Sequence, residues 1–423
     1  MEQRKDRSRI PEKQELELYI HIPFCEKKCD YCDFLSSPSN EAVKKRYFDA
    51  LSAEIRSYEG RTKDYLVSTI FIGGGTPSCV DAVYIKKLLD EVRRVFSLSE
   101  EEAVPRFPEI TIEVNPGTLD QKKLTIYKEA GINRISFGLQ STVEKELKLL
   151  GRIHDYSQFL ENYKLARRMG FVNINVDLMS ALPGQTLKSW ELTLDRIAKL
   201  EPEHISAYSL IIEEGTPFFE RYGEGRQAAD ALPGEEEDRL IYARTKERLK
   251  EYGYHRYEIS NYSRAGYECR HNLGYWKGTA YLGLGLGASS LIRHTRFHNV
   301  SNMPEYLDLC NWWCKNKINA QQEQGGIIDD DIRKDRLGIR RDVEPLNISG
   351  QMEEFMFLGL RVTDGISKEE FYRRFGRTLS EVYGSALGRL MKQGLMTEEE
   401  NYYRLTDYGI DISNMVLSEF LLN

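Results

Sequence analysis

Residues 18–34 read LYIHIPFCEKKCDYCDF: a short run rich in β-branched and aromatic side chains, then three cysteines, Cys25, Cys29 and Cys32, at C-x3-C-x2-C spacing. The run has the composition of a buried strand, so the sulfur-bearing turn is the loop that leaves it. Three thiols at that spacing, in a turn that also holds Lys27 and Lys28, can converge on one soft metal centre, an iron–sulfur cluster or zinc. Structural zinc normally closes at four ligands and a cluster is usually held by four cysteines, so a local triplet leaves one iron open to a small molecule. The competing reading is a structural zinc knot with His21 as the fourth ligand, H-x3-C-x3-C-x2-C.

Working outward, five further runs share the strand composition of residues 18–22: residues 69–72, 110–114, 134–139, 174–179 and 204–210. Amphipathic segments at 41–58, 81–96, 120–130, 157–169 and 187–200 lie between them, with Gly131 and Gly170 placed as helix stops. Strand alternating with helix predicts parallel pairing, and six such units predict an α/β partial barrel. In such barrels the chemistry sits on the loops at the carboxyl ends of the strands. The polar residues follow that rule. Strand two runs into Gly73-Gly74-Gly75-Thr76-Pro77, strand three carries Glu113 before Asn115-Pro116, strand four delivers Gln140 and strand five Asp177.

Each of these signals alone has an ordinary structural explanation, a tight turn or a helix cap. Together they describe a ligand. The glycines let backbone approach without a Cβ in the way, Glu113 and Asp177 can accept from ribose hydroxyls or an ammonium, and Gln140 and Arg152 can address a carboxylate. A zwitterionic, sugar-bearing molecule is implied, and S-adenosylmethionine fits because its amino and carboxylate groups can chelate the iron that three cysteines leave uncovered.

Composition bounds the rest. The 423 residues carry 59 Lys and Arg against 66 Asp and Glu, and 41% are hydrophobic, which describes a globular chain of two or three domains. No apolar run approaches the ~18 residues a membrane span needs, and residues 279–292 are interrupted by Gly283, Gly285 and Gly287. The polar N-terminus lacks an apolar signal region, so a cytoplasmic protein with reduced thiols is expected. Of the other cysteines, Cys79 and Cys269 stand alone, while Cys310 and Cys314 flank Trp312 and Trp313 on what reads as a buried helical face.

LYIHIPFCEKKCDYCDF, GGGTPS (73–78), EVNPGTL (113–119), RISFGLQS (134–141), residues 151–155 and VDLMSALPGQT (176–186) together resemble the radical S-adenosylmethionine (SAM) superfamily. SAYSLIIEEGTPF (206–218), HNLGYW (271–276) and MEEFMFLGLRVTDGIS (352–367) extend the resemblance to the branch that holds oxygen-independent coproporphyrinogen III oxidase and a related heme chaperone. The resemblance implies a partial (β/α)6 TIM-like radical SAM barrel, a [4Fe–4S] cluster on Cys25, Cys29 and Cys32, and SAM contacts from Tyr19, Tyr31, Gly74, Gly75, Thr76, Glu113, Gln140, Arg152 and Asp177. The oxidase branch carries another cysteine two residues after the third, where this chain has Phe34, and a longer N-terminal extension than the 24 residues before Cys25. HNLGYW resembles the chaperone branch, which makes His271 the expected heme ligand, with Tyr275 and Trp276 against a porphyrin face and His294 and His298 as alternatives. The implied function is a heme carrier more than a catalyst, with a one-electron donor and an acceptor hemoprotein, respiratory or other, as partners. The alternative is oxidative decarboxylation of coproporphyrinogen III.

The barrel and its extension are expected over residues 1–310, a linker region over 311–350, and a C-terminal winged-helix-like α+β domain over 351–423. The charge-dense DDDIRKDRLGIRRDV (329–343) reads as a solvated helix or linker. Residues 351–423 hold eight Lys and Arg against twelve Asp and Glu, the wrong sign for displacing counterions from phosphate, so a lid or docking role is expected and no nucleic acid.

Overall fold

The six predicted strands are β1 (Gln14–Ile22), β2 (Tyr65–Gly74), β3 (Glu109–Val114), β4 (Arg134–Gln140), β5 (Ile174–Ser180) and β6 (His204–Ser209), paired parallel in sequence order. The computed structural model describes residues 13–98, 108–323 and 331–422, with side chains from 317 to 323 excepted. The crossovers are α1 (Glu41–Ser57), α2 (Ala82–Val95), α3 (Gln121–Glu129), the pair α4 (Glu144–Leu149) and α5 (Tyr156–Arg168), and α6 (Leu187–Ala198). Five of them start where the sequence supplies a cap: the side chains of Asn40, Asp81, Asp120, Asp155 and Thr186 each accept from a backbone N–H of the first turn. Each such cap is worth about 1 kcal/mol. The parallel strands are buried on both faces, as crossover helices require, and Leu18, Ile20, Ile72, Ile112, Phe137 and Val176 share one core with the helices.

Six strands do not complete the sheet, which has twelve among the described residues. Beyond β6, α7 (Pro217–Tyr222) and α8 (Glu235–Glu251) lead to the short antiparallel strands β7 (His255–Arg256) and β8 (Asn261–Ser263). On the other edge, α9 (Arg270–Lys277) leads to β9 (Ala280–Leu284), which joins β1 in parallel, followed by the antiparallel β10 (Ser289–Ile292), β11 (Thr295–Asn299) and β12 (Arg340–Pro345), with α10 (Met303–Glu323) before the last. The glycine run 283–287 brings backbone against α1, where the amides of Gly285 and Leu286 donate to Glu54 Oε2 and the Tyr47 hydroxyl at 2.8 and 3.1 Å.

Two expectations are corrected. The charge-dense stretch carries β12, with the Arg340 guanidinium 4.0 Å from the centre of the Phe297 ring; residues 329 and 330 of that stretch, like residues 1–12, lie outside the described residues. Charged side chains on a sheet edge look like a solvated run in one dimension. Cys310 is buried as expected, but Cys314 and Trp312 are exposed; Trp312 lies on the side of the helix opposite Cys310.

The C-terminal part comprises α11 (Ile348–Gly359), β13 (Ile366–Ser367), α12 (Lys368–Phe375), α13 (Leu379–Lys392), β14 (Met396–Glu399), β15 (Tyr402–Leu405), α14 (Asp407–Asp411) and α15 (Ser413–Ser418). Its three-stranded sheet, in the order β13-β15-β14, and its helices bury a separate core around Met356, Phe371, Leu387 and Phe420. The α11 helix packs on α9, which ties this domain to the rim of the barrel. No helix among the described residues is long and apolar enough to cross a membrane.

Candidate functional site

Eleven of the thirteen predicted site residues line one cavity of about 410 Å³ at the carboxyl ends of the parallel strands: Cys25, Cys29, Cys32, Tyr31, Gly74, Gly75, Thr76, Glu113, Gln140, Arg152 and Asp177. That volume suits a small ligand, since such sites run from about 300 to 1,000 Å³. The cysteine loop is fastened to the glycine turn by backbone bonds: Gly75 N donates to Ile22 O at 2.9 Å and Thr76 N to Phe24 O at 2.7 Å. Glycine is required at position 75, because a Cβ there would stand 2.4 Å from the Phe24 carbonyl oxygen.

Arg152 organises the floor. One guanidinium nitrogen lies 3.5 Å from both Cys29 Sγ and the Tyr31 hydroxyl; the other donates to Asn115 Oδ1 at 2.6 Å and to the Gly138 carbonyl. Asn115 in turn donates to Thr76 Oγ1 at 2.7 Å. Gln140 ends β4 at a register shift with φ +74°, a left-handed conformation that costs a non-glycine residue about 1 kcal/mol or more, and its Oε1 accepts from the Tyr208 hydroxyl at 2.9 Å. Asn115 lies in EVNPGTL and Tyr208 in SAYSLIIEEGTPF, and nothing in either stretch marks them as contacts between loops. A bridging role between loops is invisible until the loops meet.

The two carboxylates are buried, and their chemistry follows from that. Burial, then the charge of Asp177, pushes Glu113 up to about 8, although it accepts from Gly74 N at 3.0 Å. Burial also raises Asp177, against hydrogen bonds from Asn175 Nδ2 at 2.8 Å and Ser136 Oγ at 3.0 Å. Two desolvated carboxylates favour a cationic partner, and Arg152 favours an anionic one, so this lining fits a zwitterion such as SAM. Burial raises the Cys25 and Cys32 thiols too, the first against a hydrogen bond with Ser36; a bound metal reverses that preference by taking the thiolate.

The zinc knot does not form. His21 Nε2 donates to the Leu35 carbonyl at 2.9 Å and Nδ1 accepts from the Tyr19 hydroxyl at 3.0 Å, so both nitrogens are engaged away from sulfur. Among the described residues no three His, Cys, Asp or Glu side chains, Cys25, Cys29 and Cys32 included, are gathered closely enough for one metal ion; a cluster, which gives each thiolate its own iron, takes ligands spaced more widely.

Tyr19 and His271 stand apart from the other eleven residues. Tyr19 lines a second cavity of about 500 Å³, which shares Gly74, Glu113 and Phe34 with the first and is walled by Tyr275, Trp276, Tyr281, Leu291 and Leu358. His271 lines none of the cavities described here: it is 2% exposed, behind Tyr275. Of the alternatives, His294 sits exposed in the β10–β11 turn with φ +58° and His298, half-buried on β11, pairs with Asp342 at 2.7 Å.

Residues 19–197 match the family model described as the radical SAM superfamily, and residues 350–412 that of the HemN C-terminal domain. The chain is 38% identical to a heme chaperone HemW of Bacillus subtilis (strain 168), covering 95% of this chain and 98% of that one. It is 34% identical to a heme chaperone HemW of Escherichia coli (strain K12), covering 96% and 98%. Among solved structures, coproporphyrinogen III oxidase (HemN) from Escherichia coli, described as a radical SAM enzyme, superposes with a TM-score of 0.76 at 24% identity, covering 98% of this chain and 91% of that one.

Proposed function

The chain belongs to the HemW heme-chaperone family, whose members carry the radical SAM domain, and on that footing we propose that it binds heme and passes it to an acceptor hemoprotein. The radical SAM family implies a [4Fe–4S] cluster and SAM. The observation that carries the reading is the pair of adjoining cavities, one lined by thiols and paired charges, the other by aromatic side chains.

Cys25, Cys29 and Cys32 hold the cluster. Glu113 and Asp177 take the ammonium and ribose side of SAM, Arg152 and Gln140 its carboxylate, and the Gly74–Thr76 turn lets it lie against backbone. Bound together, cluster and SAM supply one-electron chemistry at a sulfonium, for which an external donor is required. Heme lies in the second cavity, where Tyr275, Trp276 and Tyr281 offer ring faces and edges to the porphyrin.

Two outcomes test this. Titrating the anaerobically reconstituted chain with heme gives a saturable Soret change, and the loaded chain transfers heme to an apo-hemoprotein; a chain that takes up no heme removes the proposal. Conversion of coproporphyrinogen III under reducing conditions would instead establish the oxidase reading, which Phe34 disfavours. The SAM assignment has its own pH signature. Because the raised Glu113 is mostly protonated at neutral pH, its ionised fraction grows about fivefold from pH 7 to 8. SAM affinity measured by calorimetry therefore rises over that interval, and the rise is absent in Glu113→Gln. The sign for the unliganded fold is opposite: a carboxyl raised in the native state makes stability fall as pH climbs from the ordinary carboxylate range towards about 8.

A further inference from the structure

We propose that the phenolic oxygen of Tyr275, and not a ring nitrogen of His271, is the ligand to the iron of bound ferric heme, with His271 and Glu17 as the positioning residues behind it. This rests on the heme reading above and concerns the same cavity. His271 and Tyr275 are four residues apart on α9 and so share a helix face, but they occupy different depths of it. Tyr275 lines the aromatic cavity, while His271 is inside the wall. The imidazole is fenced on all sides: stacked on Phe71 at 5.2 Å between centroids, edge-on to Tyr275, with Nδ1 2.7 Å from Thr69 Oγ1 and Nε2 3.0 Å from the Tyr275 hydroxyl. For His271 to reach iron, every one of these contacts must break.

A second tyrosine–histidine pair, Tyr19–His21, faces the same cavity, and what lies behind each pair separates them. His21 ends on the neutral Leu35 carbonyl, so the Tyr19 pair has no carboxyl behind its histidine to receive a proton. Behind His271, Glu17 is 1% exposed, its Oε2 has no hydrogen-bond partner, and that atom lies 3.9 Å from His271 Nδ1. Ligation balances without an electron: the O–H bond of Tyr275 breaks, the oxygen binds Fe(III), and the proton passes to Nε2 of His271, which burial keeps neutral, while Nδ1 gives up its own proton towards Thr69 Oγ1 at 2.7 Å and the Glu17 carboxyl, whose protonated form burial favours. An anionic oxygen is a hard donor suited to ferric iron, and tyrosine serves as a proximal heme ligand elsewhere.

The test is hemin titration of the full chain and of Tyr275→Phe, His271→Gln and Tyr19→Phe, read by visible absorption and electron paramagnetic resonance. The native chain is expected to give the high-spin ferric spectrum and charge-transfer band of phenolate-ligated iron. Tyr275→Phe loses that signature, Tyr19→Phe keeps it, and His271→Gln keeps it while binding weakens by about tenfold, as for residues that orient a ligand. A nitrogen-ligated spectrum that disappears in His271→Gln overturns the proposal while leaving the heme reading intact, as does loss of the phenolate signature in Tyr19→Phe alone. No uptake by the native chain overturns both.

Discussion

Replacing Cys29 with serine is expected to reduce the iron bound after anaerobic reconstitution to background and to bleach the broad visible absorption, with little effect on the fold. The loop that carries Cys29 is held by backbone bonds independent of its sulfur, from Cys32 N to Cys29 O at 3.2 Å and from Asp30 N to Leu150 O at 3.2 Å. Serine preserves the size of the side chain, but its hydroxyl does not form the thiolate that binds iron. With the cluster lost, Arg152, whose guanidinium lies 3.5 Å from that sulfur, loses its neighbour, and SAM loses the iron its amino and carboxylate groups would meet. Serine at Cys310 is the contrasting case: that thiol is buried in the core away from the cavity, so the substitution lowers stability and leaves iron content unchanged. Metal analysis beside thermal denaturation separates the two; normal iron in Cys29→Ser would remove the cysteine loop from the cluster site.

The second large effect is structural. A methyl group on Gly274 would stand 1.9 Å from Glu17 Oε1 and 2.2 Å from its Cδ, and Glu17 is 1% exposed, so the clash falls on a buried carboxyl between β1 and α9. Gly274→Ala therefore pushes α9 off the sheet, at a cost of about 3 kcal/mol for overpacking a buried contact. The helix carries His271 and Tyr275, so heme affinity falls together with the melting temperature. Shortening the obstacle should restore the stability: the double variant Gly274→Ala, Glu17→Ala is expected to be more stable than Gly274→Ala alone, the coupling expected of groups in direct contact. Independent, additive losses would mean that the helix does not rest on Glu17. The HNLGYW spacing thus has a physical content: histidine and tyrosine on one face, with a glycine where that helix meets a carboxylate.

The parallel half of the fold was legible because its signals are local. Runs rich in β-branched and aromatic residues, amphipathic helices between them and a cysteine turn directly after the first strand need no knowledge of distant residues, and ligands gather at the carboxyl ends of parallel strands, where eleven of the expected residues line one cavity. The edges were not legible. Strands of two to five residues such as β7, β8 and β10 carry too little pattern to separate from loops, and β12 is charged because it borders solvent.

Depth is what the one-dimensional pattern withholds. The sequence by itself determined that Cys25, Cys29 and Cys32 share a loop and that Glu113 and Asp177 lie towards the carboxyl ends of the third and fifth strands, because local pattern decides each of these. Only the tertiary structure decided that Tyr19 turns to a second cavity, that His271 lies behind Tyr275, and that Glu17 is sealed beneath Gly274. Those outcomes depend on how closely α9 approaches β1 and β2, a distance fixed by side-chain volumes from three separate stretches of chain rather than by the order of residues in any one of them.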